Sequence, residues 1–189
     1  NQSPTGVTFA DLNGDGRLDL IVNSFTGPNA CFLNLGNGRF TNITEMAGLL
    51  SKGGTTSLVL SDLEGTGNLD LYVAYFGTEA ILRDGAALGV RMVNGKMVIG
   101  GRYARRIQII NNHMYELGEP SMLFHNDGAA HFAPLRWEAL FRDEDNHPIS
   151  APLDLSLAVQ IRDINGDGLP DIYVCNDFQT PDRLWLNDG

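Results

Sequence analysis

An all-β architecture built from a repeated antiparallel unit is predicted by three observations. An Asp-rich nonapeptide occurs three times, at 11–19, 62–70 and 163–171, with Asp at its first and ninth positions and Gly at its sixth. Each copy leads into an apolar β-forming run: Leu20-Ile21-Val22, Leu71-Tyr72-Val73 and Ile172-Tyr173-Val174. An aromatic segment entering an Asn/Gly turn then recurs, as Phe32-Leu33-Asn34, Phe124-His125-Asn126 and Trp185-Leu186-Asn187. Four short strands per repeat of roughly 50 residues is the pattern of a β-propeller blade. Glycine supplies 22 of the 189 residues, well above the usual share of about 7%, as a turn-rich chain requires.

The elements follow in order. Strands at Val7–Phe9, Thr55–Leu60 and Leu155–Ile161 precede the three loops, and Gly/Asn punctuation closes each hairpin. A short helical turn is expected at Thr44–Ala47, ended by Gly48. The spacing from loop to Asn is 23 residues for Asp11–Asn34 and 24 for Asp163–Asn187, but 64 for Asp62–Asn126. The second unit therefore carries an insertion, placed at 83–121. Two hairpins are predicted within it. One turns at Asn94-Gly95, a pair that tolerates the positive φ of a type I′ turn, and the other at Asn111-Asn112. The organisation expected is blade 1 at 1–50, blade 2 with its insertion at 51–150, and a truncated blade 3 at 151–189. Residues 83–120 hold six Lys/Arg against three Asp/Glu; this fits a solvated excursion or a partner contact carried on a rigid scaffold.

Composition narrows the function. The formal charge is −10, with a pI near 4.6, which disfavours a nucleic-acid partner needing a basic stripe. No apolar run approaches the roughly 18–20 residues of a membrane span, and no signal peptide opens the chain, as in a mature or trimmed fragment. Hydrophobic residues at 43% suffice for a core. Cys31 and Cys175 lack metal-site spacing and sit in apolar runs, which reads as free thiols.

The nonapeptides carry the chemistry. Three acids in nine residues repel one another unless a cation neutralises them, and hard oxygen donors suit Ca²⁺. The first loop offers Asp11, Asn13, Asp15 and Asp19, with the carbonyl of Arg17. The third offers Asp163, Asn165, Asp167 and Asp171, with the carbonyl of Leu169. In the middle loop Glu64 replaces Asn and Thr66 replaces Asp, leaving Asp62, Glu64, Thr66 and Asp70 with the carbonyl of Asn68, a weaker site. Two calcium sites are expected, with this third as an additional candidate; an Asx-rich turn held by its own hydrogen bonds is the competing reading. Three Ca²⁺ would bring the charge from −10 to −4. Zinc is disfavoured because no Cys or His lies in any loop. An EF-hand is excluded, because position 12 is Val22, Val73 or Val174 where it needs Glu.

With both signatures together, the chain resembles the FG-GAP/VCBS repeats of integrin-α-type propellers, and in particular the ASPIC/UnbV and cartilage-acidic-protein-like group. The run from Arg162 to Phe178 is the most characteristic stretch. That resemblance implies extracellular, cell-surface or periplasmic propellers of roughly seven blades, with Ca²⁺ in interstrand loops and roles in adhesion or ligand binding. Three blades cannot close a ring, and 187–189 stop inside a hairpin, so further blades of a longer chain or assembly are expected as partners. The resulting expectation is a non-catalytic, calcium-binding propeller segment contacting a protein or glycan ligand. The alternatives are a structural subunit of a surface assembly or filament, and the accessory propeller of a larger secreted enzyme. His113, His125, His131 and His147 form no catalytic constellation legible in sequence and read as structural or surface residues. Asp143-Glu144-Asp145 reads as a solvated loop, and Trp137 and Trp185 as core. Sequons occur at Asn42-Ile43-Thr44 and Asn1-Gln2-Ser3.

Overall fold

The computed structural model describes residues 3–50 and 53–189; the Asn1-Gln2-Ser3 sequon lies partly outside them. The described residues fold into three antiparallel sheets and two separate hairpins, none of them closed. The first sheet is a meander of β1 (Pro4–Ala10), β2 (Asp19–Ser24), β3 (Ala30–Asn34) and β4 (Phe40–Asn42). The second pairs β5 (Thr55–Ser61) and β6 (Asp70–Tyr75) with β11 (Met122–Asn126) and β12 (Phe132–Pro134). Between β6 and β11 the insertion forms the hairpins β7 (Gly89–Val93)/β8 (Lys96–Gly100) and β9 (Ile107–Ile110)/β10 (His113–Glu116), turning at Asn94-Gly95 and Asn111-Asn112 as predicted. The third sheet comprises β13 (Ser156–Arg162), β14 (Asp171–Asn176) and β15 (Arg183–Trp185).

The sheets are copies of one unit. In each, the residue two places after the loop's last Asp pairs across the inner strand: Ile21 with Thr8, Tyr72 with Val59, Tyr173 with Gln160. The register slips at the same place in all three, between Pro4/Gly6, Thr55/Ser57 and Ser156/Ala158. A bulge in the same position sharpens the local twist of each inner strand.

Alternation along the strands then makes each sheet apolar on both faces. Leu71, Val73 and Phe124 pack towards the first sheet with Leu12, Ile21 and Cys31, whereas Tyr72, Ala74 and Leu123 pack towards the third with Ile172 and Val174. The inner strands are also stitched directly. Thr5 Oγ1 donates to the Thr55 carbonyl at 2.8 Å, and Thr56 Oγ1 to the Ser156 carbonyl at 2.7 Å. One face of the first sheet and one of the third lack such a neighbour. Leu20 and Val22 are half-buried where their counterparts Leu71, Val73, Ile172 and Val174 are buried, and Val7 and Phe9 on the same face are exposed. On the far face of the third sheet Tyr173 is half-buried and Leu184 and Ile164 are exposed, where Ile21, Cys31 and Leu12 are buried.

The expected turn at 44–47 closes through Ala47 N–H donating to the Ile43 carbonyl at 2.7 Å and ends at Gly48, φ +75°. A single helical turn, α1 (Trp137–Leu140), was not foreseen; it places Trp137 in the core between the second and third sheets. Both tryptophans join that cluster, Trp137 buried and Trp185 half-buried. Both cysteines are free, and burial, aided by the nearby Asp19 carboxylate, pushes the buried Cys31 thiol up to about 12. Among the described residues no helix is long and apolar enough to cross a membrane.

The insertion is tied to the body through its acids. Glu116 accepts the Ile81 and Leu82 N–H groups at 3.0 Å each, and Glu119 accepts that of Thr78 at 3.2 Å. Arg106 lies between both carboxylates, 3.6 Å and 3.2 Å away. Where the insertion returns, Gly118 runs so close to 154–155 that a Cβ there would stand 1.7 Å from the Asp154 carbonyl oxygen. Gly118→Ala is expected to cost about 2 kcal/mol by overpacking, read as a lower urea midpoint at unchanged m-value.

Candidate metal centre

The ninth-position aspartates are buried in all three units, and each does the same structural work. Asp19 accepts the Leu12 N–H at 3.0 Å on one oxygen and the Asn34 N–H at 2.8 Å on the other. Asp70 accepts Leu63 (3.2 Å) and Asn126 (3.1 Å), and Asp171 accepts Ile164 (2.9 Å) and Asn187 (2.8 Å). Each carboxylate thus joins the loop to the third strand or its end, and a carboxylate with about four lone-pair sites keeps acceptor capacity beyond those two bonds. These donors hold the Asp171 carboxyl below its ordinary range, the Asn187 amide contributing most. At Asp70 burial dominates and pushes the carboxyl upward, against the Asn126 and Leu63 amides.

The hairpin Asn completes the clasp. Asn126 Nδ2 donates to the carbonyls of Leu69 (3.2 Å) and Leu12 (3.1 Å), the latter in the preceding sheet's loop, and Asn187 Nδ2 reaches the Leu63 carbonyl at 3.0 Å. Asn34 makes the equivalent bond within its own unit, to Leu18, at 2.9 Å. Sequence reading identified the Asn/Gly turn but not this bond between units, because its acceptor is a backbone carbonyl and leaves no residue signature.

The first and third loops share one conformation. Asp11 and Asp163 accept the N–H groups of Gly14 and Gly166 at 2.8 and 2.6 Å, and of Gly16 and Gly168 at 2.8 and 2.9 Å. The glycines adopt φ between +74° and +89°, a region open to Gly without a Cβ penalty. Asn13 and Asn165 turn towards Asp15 and Asp167 at 3.0 and 2.8 Å, and these aspartates accept the N–H groups of Arg17 and Leu169. The Gly16 amide is the main influence holding the Asp11 carboxyl low. Arg17 adds a guanidinium contact to Asp15. The donor set is oxygen only and fits a hard cation, with the Asn side chains presenting oxygen after a half-turn of the amide.

The middle loop differs. Asp62 accepts the Thr66 and Gly67 N–H groups at 2.9 and 2.8 Å, so the turn persists. Asn68 N–H meets Thr66 Oγ1 at 3.3 Å. Glu64 lies away from that frame and meets His125: its Oε2 is 3.2 Å from Nδ1, with Asp70 Oδ1 3.4 Å from the same nitrogen. Among the described residues, this is the one group of three or more His, Cys, Asp or Glu side chains whose ligand atoms lie within 4.8 Å of one another. The expectation for His125 was a structural or surface residue. The available signal was a coupled departure, Glu64 standing where the other loops have Asn13 and Asn165, and His125 where the other hairpins have Leu33 and Leu186.

The remaining histidines are engaged locally. His131 contacts Asp127 at 2.9 Å, His147 contacts Asp143 at 3.5 Å, and His113 meets the Asn111 carbonyl at 2.9 Å. Asp143 caps the exposed 143–147 turn by accepting the Asp145 and His147 N–H groups. In the Asn42 sequon Thr44 is buried, with its hydroxyl on Asn42 Oδ1 and on the Cys31 N–H.

No curated protein matches the chain. Residues 11–73, which span the first two loops and end within β6, match the family model described as an FG-GAP-like repeat. Residues 11–73 thus carry an FG-GAP-like repeat, and the two four-stranded sheets, the three-stranded third and the three Asp-rich loops fit a partial β-propeller.

Proposed function

We propose that this chain is part of a calcium-stabilised extracellular β-propeller that serves protein or glycan contacts and performs no catalysis. The observation that supports this reading best is the shared conformation of the first and third loops. They are separated by most of the chain, yet each arranges Asp, Asn and Asp oxygens around one glycine-permitted turn. Calcium would be held by Asp11, Asn13 and Asp15 in one loop and Asp163, Asn165 and Asp167 in the other. Asp19 and Asp171 anchor each loop's end. The run from Arg162 to Phe178 is the ground for the narrower ASPIC/UnbV resemblance. The two uncovered apolar faces favour further blades, in a longer chain or an assembly, as neighbours. A surface-assembly subunit or an enzyme's accessory propeller would have the same faces.

A ligand bound only by the native state adds about 2.7 kcal/mol at 100 times its Kd. Chelation is therefore expected to lower Tm clearly in a calcium-replete sample, and Asp163→Ala to abolish more of that shift than Asp62→Ala. Superimposable melting curves with and without chelator would remove calcium from this account.

A further inference from the structure

We propose that the middle unit has exchanged its calcium loop for a different metal site, in which Glu64, Asp70 and His125 hold a borderline divalent cation of the Zn²⁺ class. Three independent features lead there. The first is distance. Donors bound at about 2.0–2.1 Å in tetrahedral or octahedral geometry stand about 2.9–3.4 Å apart, and His125 Nδ1 lies 3.2 Å from Glu64 Oε2 and 3.4 Å from Asp70 Oδ1. The second is an unsatisfied atom. His125 Nδ1 is itself buried and makes no hydrogen bond, although two carboxylate oxygens lie within 3.4 Å of it. A buried polar nitrogen without a hydrogen bond carries a desolvation cost that a metal bond would remove. The third is the paired departure in sequence. Only this unit has both the Glu in its loop and the His in its hairpin, and it is also the unit lacking the fifth-position Asp.

The supporting structure is suited to the task. Asp70 is 1% exposed, and its carboxylate is fixed by the Leu63 and Asn126 amides, the outer contacts that orient a ligating group. His125 sits on β11, whose neighbouring residue Phe124 pairs with Leu71 of β6, so the imidazole and Asp70 are held by adjoining strands. Glu64 reaches in from the exposed loop, as a closing arm. An imidazole nitrogen with two carboxylates suits Zn²⁺, Co²⁺, Ni²⁺ or Fe²⁺, whereas calcium takes oxygen. With His125 and Glu64 side chains 35% and 44% exposed, water can complete the coordination sphere.

Co²⁺ titration of the whole chain, followed by visible absorption, tests the assignment. Binding of one equivalent with a ligand-field band is expected, undiminished by a hundredfold excess of Ca²⁺. His125→Leu and Glu64→Asn each restore the residue found in the other units, so the fold should survive, as circular dichroism would verify. Each is expected to weaken Co²⁺ at least tenfold while leaving any calcium-dependent Tm shift from the first and third loops intact. Absence of the band, its displacement by Ca²⁺, or unchanged affinity in both variants would overturn the site. Failure of the calcium reading alone would leave the Co²⁺ result untouched.

Discussion

Trp137→Ala is expected to destabilise the protein by about 3–5 kcal/mol, the range for truncating a large buried aromatic. Trp137 is 6% exposed and stacks on Phe141 with ring centroids 3.9 Å apart. Its edges meet Tyr72 and Trp185 at 6.4 and 5.7 Å, so one side chain joins α1, β6 and β15. Its Nε1 donates to the Ser121 carbonyl at 2.8 Å, at the point where the chain returns from the insertion. Removing the ring leaves a cavity between the second and third sheets and an unpaired carbonyl. At about 2–4 °C per kcal/mol for a chain of this size, Tm should fall by about 10 °C. Trp137→Phe keeps most of the apolar area and loses the hydrogen bond, so it should cost about 1–2 kcal/mol. Equal losses from the two variants would show that the hydrogen bond, not the packing, dominates.

Asn126→Ala should follow at about 3 kcal/mol. Asn126 is fully buried, and its side chain makes three bonds: to Leu69 in its own unit, to Leu12 in the preceding one, and from the Gly128 N–H. Each bond contributes about 1 kcal/mol net, and buried groups left unpaired cost more. Asn34→Ala is the internal control. Asn34 occupies the same place in the first unit, where it donates to Leu18 and accepts the Gly36 N–H without a bond to another sheet's loop, so about 2 kcal/mol is expected. Urea denaturation of both variants measures the difference; equal midpoints would deny that the Asn126–Leu12 bond couples the two sheets.

The repeated unit was legible because its signals are local. Asp and Gly at fixed loop positions encode a turn, and continuous apolar runs such as Leu71-Tyr72-Val73 encode strands with two covered faces, so three copies are visible in the sequence. Asn94-Gly95 and Asn111-Asn112 were legible for the same reason, since positive φ is a property of single residues: Asn94 and Asn111 adopt +50° and +51°. The helical turn at Trp137 escaped because four residues carry too little periodicity to reveal a helix.

The chemistry of the loops divides differently. By itself the sequence determined that oxygen-rich turns recur three times and that the middle one departs from the others. Tertiary structure decided what the acids do. Asp19, Asp70 and Asp171 face backbone amides from segments distant in sequence, and Glu64 meets a histidine on a strand beyond the insertion. The physical reason is that a side chain's partner is set by which strands the sheet brings together. For Glu64 and His125, 61 residues apart, that choice belongs to the pairing of β6 with β11.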